Sequence, residues 1–489
     1  MNIYMLQGSY GRFGLTSAMF RRCNEFIKHG HKCFSLTLDF TDDLYSIEKN
    51  IRMDKEISDE LIFLNPFIDA SHKAINWSSK ISKHMQDSYL LCRISETEKN
   101  SRTLYYNATG ECITCAESGN YEVNKTYDEN VLIYESFSNK GAVVKEKFYS
   151  PSGLCIAIRE WDEQEKKQKC FLLFDYSIGF VVEYENTFSW CISWINSTIS
   201  ENQPEKTLDK SIVICDGPGS APKLKHISTT LAQRYYVLHN NHKHSNGKLT
   251  KRDETNLKSM HTIDGVIALT PQHLKDLIAD YPNGKFHSIP NFTKIKDIKL
   301  DDDFIANRIG FFGQLIDRKG VKDAIDAISI IKNKYNTDTY LEIYGIAPSD
   351  QEKVMALYSN YAKEKNIAHL VNFNGYSSDV FHDMRKCACV IFPSYSEAQG
   401  LTVIESLANG IPVVAYNCNY GPAAMIENGE NGYLVDTGDR EELAKKILDI
   451  ITDGNLRKRL SNNAKTSAIE FSDSNKIYDS WIEAFNKTN

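Results

Sequence analysis

Short apolar runs and stripes of helical period alternate along most of the chain. Near the start, "NIYMLQ" and "KCFSLTLDF" read as strands. Between them "SAMFRRCNEFIKHG" reads as an amphipathic helix stopped at Gly30. The same texture resumes near residue 205, where "SIVICD", "RYYVLH" and "DGVIALT" are apolar enough for parallel strands buried on both faces. From about residue 300 the alternation becomes regular. "RIGFFGQL" predicts a strand, and in the segment after it Val321, Ala324, Ile325, Ile328 and Ile331 recur at helical spacing. "TYLEIYG", "HLVNFNGY", "ACVIFPSY" and "IPVVAY" predict further strands, with helices over "DQEKVMALYSNYAKEKN" and "GLTVIESLANG".

Residues from about 85 to 200 break this pattern. They are rich in Tyr, Phe, Val, Ile and Thr and are punctuated by "ATGE", "ESGN", "SNKGA" and "SPSGL", which predicts an antiparallel meander. Set inside an α/β domain, such a module is an insertion. Its sheet edges need a partner or a cover, and self-association is one solution. The expected organisation is an α/β chain of two doubly wound Rossmann-like domains with an antiparallel β-rich insertion in the first. Residues 1–70 and 205–297 form the first domain, 71–204 the insertion and 298–470 the second domain, with a helix in 471–489 returning to the first.

Bulk properties narrow the class. At 489 residues the chain exceeds one ordinary core, and 42% hydrophobic with 25% charged residues is a globular composition. No apolar run reaches the roughly 18 residues of a membrane-spanning helix. The opening "MNIYMLQGSYGRFG" lacks the features of a signal peptide, so a cytoplasmic location is expected, with peripheral association at the inner membrane face left open. The 12 cysteines show no pairing pattern, and the lone Cys112–Cys115 spacing has neither a second pair nor a βαβ context, so these read as ordinary strand residues. A net charge of −7 argues against a general nucleic-acid binder.

The chemistry concentrates in "SYSEAQGLTVIE", where Glu397 and Glu405 flank Gly400 as a predicted strand hands over to a predicted helix. Ligands of open α/β sheets sit at such carboxyl ends. Lys319 in "GQLIDRKG", "NGY" ending on Gly375 and Tyr376, and "GIPVVA" complete a set whose order and spacing are more telling than any single member. This half resembles the nucleotide-sugar domain of retaining GT-B glycosyltransferases of family 4. "ICDGPGS", "VLHNNHKH", "GLTSAMFRR" and the β-rich insertion extend the resemblance over essentially the whole chain, to the teichoic-acid α-glycosyltransferases.

The resemblance implies a GT-B fold, a UDP-sugar donor, a polyanionic teichoic-acid acceptor and a homo-oligomer, a trimer by analogy, formed through the insertion. It implies no metal and no other cofactor, so the charge of the leaving diphosphate needs fixed protein donors. A helix starting near Gly400 offers backbone N–H groups of Leu401 and Thr402, with Gln399 beside them and Lys319 as a point charge. By resemblance Glu405 takes the ribose hydroxyls and Glu397 faces the transferred sugar. The alternative for Glu397 is an acid that merely favours the helix dipole. Gly14 marks a loop that can approach the diphosphate. His239 matches the family's catalytic-site histidine, with His242 as the fallback and a structural histidine as the alternative. Asp216 is an acceptor-side candidate or part of a rigid turn. Lys243 and Lys248, with Lys251 and Arg252, could meet a polyanion or simply be solvated.

Two departures stand out. Gln314 occupies a position where the family carries an arginine beside the phosphates, and Arg318 is expected to compensate. "IYGIAPSD" also lacks the second glycine common after this strand. The expected activity is α-glucosyl transfer from UDP-glucose to poly(glycerol phosphate). The alternatives are α-N-acetylglucosaminyl transfer to poly(ribitol phosphate), a protein O-glycosyltransferase, and a non-catalytic binding subunit.

Overall fold

The computed structural model describes residues 1–10, 14–54, 57–80, 90–97, 100–113, 121–203, 210–243, 247–293, 295, 304–348 and 350–487. The chain divides into two compact units, Met1–Gly11 with Gly30–Arg234 and Arg12–His29 with Tyr235–Asn489.

In the first unit, parallel strands Ile62–Leu64, Lys32–Thr37, Asn2–Gln7 and Ser211–Cys215 lie side by side in that order. Ile3, Tyr4, Met5 and Leu6 are all fully buried, as expected of a strand covered on both faces. The β-rich segment is an eight-stranded sheet that meanders antiparallel from Glu122–Asp128 to Phe180–Tyr184. Its hairpins use the backbone their twist requires. Glu129 and Asn130, then Lys140 and Gly141, adopt positive φ in succession, the type I′ geometry of two-residue turns. The meander is not wholly antiparallel. Leu91–Thr97, the first strand in sequence, joins the last one in parallel through Cys92 and Phe180, with Asn100–Tyr106 outside it. Turn composition reports hairpins well, but it carries no information about which distant strands meet.

In the second unit, a six-stranded parallel sheet runs Val371–Gly375, Tyr340–Tyr344, Ile305–Phe312, Cys387–Phe392, Val413–Tyr416, Gly432–Val435. Taken in chain order this is 3-2-1-4-5-6, with the order reversing between Ile305–Phe312 and Cys387–Phe392. The predicted helical stripe forms Val321–Tyr335, and Val321, Ala324, Ile325, Ile328 and Ile331 are all fully buried in its core. The loops after the two central strands press together. A Cβ on Gly320, which has φ +71°, would lie 2.1 Å from the Pro393 carbonyl oxygen. Helix Gly14–Lys28 also belongs to this unit, and the terminal helix Ser474–Asn486 packs on it through Trp481, which lies under the Arg22 guanidinium and against Phe26. No helix among the described residues is long and apolar enough to cross a membrane.

Candidate functional site

The site grows from the reversal point of the second unit's sheet. Strand Cys387–Phe392 ends, the chain turns through Pro393–Gly400, and helix Leu401–Ala408 begins. Glu397 sits in that turn, 9% exposed. Its backbone is clamped from both sides, donating to the Asn419 carbonyl at 2.9 Å and accepting from the Tyr420 N–H. The side chain is then aimed inward. Glu397 Oε1 lies 2.5 Å from Lys319 Nζ and 3.5 Å from Arg318 Nη1, while Arg318 also donates to the Ser396 carbonyl at 2.5 Å. Lys319 is largely buried and Arg318 half exposed, so the lysine contact is the less screened of the two. A carboxylate and an ammonium thus stand together where the sheet order reverses. Gln314 follows the same strand end as Lys319 and is half-buried.

The helix that follows is open to a ligand. Gly400 takes the left-handed region at φ +84°, and among the described residues no side chain caps the helix, which leaves its first N–H groups for an anion. The Thr402 hydroxyl donates to the Phe312 carbonyl at 3.2 Å, tying this end to the neighbouring strand. Gln399 has a different setting. It is buried, and its Oε1 accepts from the Asn291 backbone N–H at 3.1 Å and Nδ2 at 2.8 Å, while its Nε2 is buried without a partner among the described residues. Gly375 ends the outermost strand on this side of the sheet, beyond Tyr340–Tyr344, with φ +73° and its carbonyl accepting from the Gly345 N–H at 2.7 Å; Tyr376 beside it is exposed.

One turn into the helix, Glu405 meets a residue that sequence reading did not single out. Arg21 Nη2 lies 2.7 Å from Glu405 Oε1, and Arg21 Nη1 is buried with no partner among the described residues. Its neighbour Arg22 faces elsewhere, fully buried against Asn291 and Trp481. Helical phase separates the two arginines, and "FRR" in an amphipathic helix is the only sequence signal for them. Gly14 opens that same helix.

The histidines part company. His242 is fully buried, with Nδ1 at 3.0 Å from His273 Nε2 and Nε2 at 2.8 Å from Asp280 Oδ2. Lys243 Nζ pairs with the same carboxylate at 2.7 Å. The His273 ring stacks on Tyr420 with centroids 4.3 Å apart, and the Tyr420 hydroxyl donates to Asp276 at 2.9 Å. Burial pushes the pKa of His273 down to about 3 and lowers that of His242 against the opposing pull of Asp280, so both rings are held neutral. Asp280 stays below its ordinary value because Lys243 and His242 outweigh its desolvation. The surroundings of His242 are those of a structural residue. Tyr420 connects this cluster to the Glu397 turn. His239 is half-buried, two residues past strand Ala232–Val237.

Glu397, Lys319, Arg318, Gln399, Gly400, Leu401, Thr402 and Glu405 therefore share one corner. Asp216, fully buried, belongs to the first unit, and Lys248 is exposed. Among the described residues no group of three His, Cys, Asp or Glu could hold a metal ion. Cys115 and His244 lie outside the described residues.

Residues 294–467 match the family described as Glycosyl transferases group 1. Among curated proteins, the chain is 26% identical to the poly(ribitol-phosphate) alpha-N-acetylglucosaminyltransferase of Staphylococcus aureus, over 97% of each chain. It is 24% identical to the poly(glycerol-phosphate) alpha-glucosyltransferase of Bacillus subtilis, over 100% of this chain and 75% of that one. Among solved structures, it superposes on a mutant S. aureus TarM in complex with Fondaparinux, alpha-GlcNAc-glycerol and UDP, with TM-score 0.74, 24% identity and 99% of each chain covered.

Proposed function

We propose that this chain, whose residues 294–467 match the Glycosyl transferases group 1 family and whose fold is that of GT-B structures, transfers an α-linked hexose from a UDP-sugar to hydroxyls of a poly(polyol phosphate) teichoic acid. The observation that carries this reading is the corner in which Glu397 holds Lys319 at 2.5 Å, beside an uncapped helix that bears Glu405. The diphosphate sits on the N–H groups of Leu401 and Thr402 with the Lys319 ammonium alongside, so negative charge gained by the leaving group meets donors already in place. Glu405 accepts the ribose hydroxyls. Glu397 faces the transferred sugar and favours positive charge at the anomeric carbon as the glycosidic bond breaks.

The two glutamates do not work as a hydrolase pair. In a glycosidase both carboxyls flank one bond. Here Glu405 lies within the helix and is engaged by Arg21. Retention then follows a front-face route: the acceptor hydroxyl attacks from the side the diphosphate leaves, and a donor phosphate oxygen takes its proton. On this reading the reaction needs no metal, His239 borders the reacting sugar, and Asp216, Lys243 and Lys248 are less central. The lysine salt-bridged to Asp280 has its charge already satisfied.

Two donor–acceptor pairings fit this corner. Glucose onto poly(glycerol phosphate) is the pairing expected from sequence. N-acetylglucosamine onto poly(ribitol phosphate) is supported by the relative matched over 97% of both chains. A homo-oligomer through the insertion is supported by its edge strand, where Val123 and Tyr127 are 44% and 54% exposed on one face. The test of the chemistry is anomeric. Proton NMR of polymer treated with enzyme and UDP-sugar is expected to show an α-anomeric signal. A β signal, or free sugar alone, overturns the reading.

A further inference from the structure

The first unit holds a cavity of about 480 Å³ that the donor-site chemistry does not use. Its walls come from both sheets of that unit. Asp39 and Asp42 follow the carboxyl end of the parallel strand Lys32–Thr37, and Lys223 sits in the 3-10 turn Ala221–His226, which follows the parallel strand Ser211–Cys215. Tyr134, Glu146 and Arg159 reach in from three strands of the antiparallel sheet.

The sheet side is fixed in advance. Glu146 accepts from the Tyr134 hydroxyl at 2.7 Å, from Arg159 Nη1 at 3.2 Å and from the Trp161 indole at 2.5 Å. Arg159 Nε donates to the Thr187 hydroxyl at 3.0 Å, and the guanidinium lies 5.1 Å above the Phe148 ring. The loop side is left unused. Among the described residues Lys223 has no carboxylate partner, its ammonium lying 5.8 Å over the Phe188 ring, and neither Asp39 nor Asp42 forms an ion pair. Phe188 is 37% exposed at the cavity, and Phe40 is half-buried.

Those groups select a ligand. The three carboxylates of Asp39, Asp42 and Glu146 outnumber the two cations of Arg159 and Lys223, so the lining repels a phosphate-bearing chain. Carboxylates that accept, cations that donate and aromatic faces that cover C–H bonds together suit a ring rich in neutral hydroxyls. The volume falls within the roughly 300–1,000 Å³ of small-molecule sites. We propose that this cavity, whose lining shares no residue with the nucleotide-sugar corner, binds a neutral pyranose. The inference rests on the cavity itself and survives if the donor reading fails.

The test uses the full chain and titrates methyl α-D-glucopyranoside and methyl N-acetyl-α-D-glucosaminide by calorimetry with UDP in excess. At least one glycoside should bind despite UDP. Asp42→Asn, Lys223→Met and Phe188→Ala should each weaken it by roughly tenfold, the scale of one lost charge-assisted hydrogen bond or aromatic contact. All three alter exposed or half-exposed positions, and equal melting temperatures establish that each variant is folded; any one that folds decides the test. Binding of neither glycoside overturns the proposal, as does unchanged affinity in the folded variants, displacement by UDP, or displacement by glycerol phosphate, which would make the cavity an anion site.

Discussion

Arg21 and Glu405 lie 384 residues apart in sequence and form an ion pair at 2.7 Å, with the arginine's second nitrogen buried and without a partner among the described residues. Glu405 is the acid expected to hold the ribose, and Arg21 orients it while carrying a spare donor. This pair also bears on the charge lost at Gln314. Arg21→Ala should weaken UDP binding by about tenfold, since a largely buried carboxylate loses its partner. Calorimetry with UDP reads this directly, and unchanged affinity would show the pair to be incidental.

The two cations on Glu397 are not equivalent. Lys319→Ala should lower kcat by about 10²–10³, the usual size of losing one donor at a developing charge. Arg318 is half exposed and bonds a backbone carbonyl, so Arg318→Ala should cost less than about tenfold. If Arg318→Ala leaves donor affinity and turnover untouched, Arg318 does not stand in for the missing arginine, and Arg21 becomes the remaining source of that charge.

Acid should loosen the cluster behind Tyr420. His273 is held at about 3 and His242 is also lowered, mainly by burial, while the unfolded chain binds these protons below about 6.5. Stability from the neutral rings is therefore complete above about pH 6.5 and lost as pH falls toward 3, because the unfolded state binds more protons across that range. Asp280, with its pKa lowered, acts only below the ordinary carboxylate range. Lys243 and Asp280 face His242, and Asp276 faces Tyr420. Between roughly pH 7.5 and 5, the fall in melting temperature should be smaller in His273→Phe, which keeps the stack on Tyr420. Parallel curves would contradict it.

Gly421 tests how tightly the corner is built. A Cβ there would stand 1.6 Å from the Gln399 carbonyl oxygen, a backbone atom that cannot yield without moving Gly400. Gly421→Ala should destabilise by about 1–3 kcal/mol and raise the KM for UDP-sugar. An unaltered KM would mean the turn relaxes away from the donor.

These residues also mark what the sequence could and could not disclose. Glu397, Gly400 and Glu405 were legible because a strand end and a helix start place them within one short stretch, and Lys319, 78 residues from Glu397, because it follows another predicted strand end. Parallel strands were legible for the same local reason, each being a short run apolar on both faces. Arg21, His273, Asp276 and Tyr420 were not, since each acts through a partner brought in by tertiary packing, as when Tyr420 meets Asp276 across 144 residues. His242 looked like a catalytic alternative by its place in a motif, and only its burial against His273 and Asp280 reveals its setting.

The central claim is transfer to a teichoic-acid polymer. The protein should be incubated with radiolabelled UDP-glucose or UDP-N-acetylglucosamine and purified poly(glycerol phosphate) or poly(ribitol phosphate), alongside Glu397→Ala and Glu405→Ala. Label is predicted to enter one polymer from one donor. Glu397→Ala should abolish this while sparing UDP binding, and Glu405→Ala should weaken UDP binding itself. Label entering neither polymer, but entering a serine-rich peptide, would contradict the account.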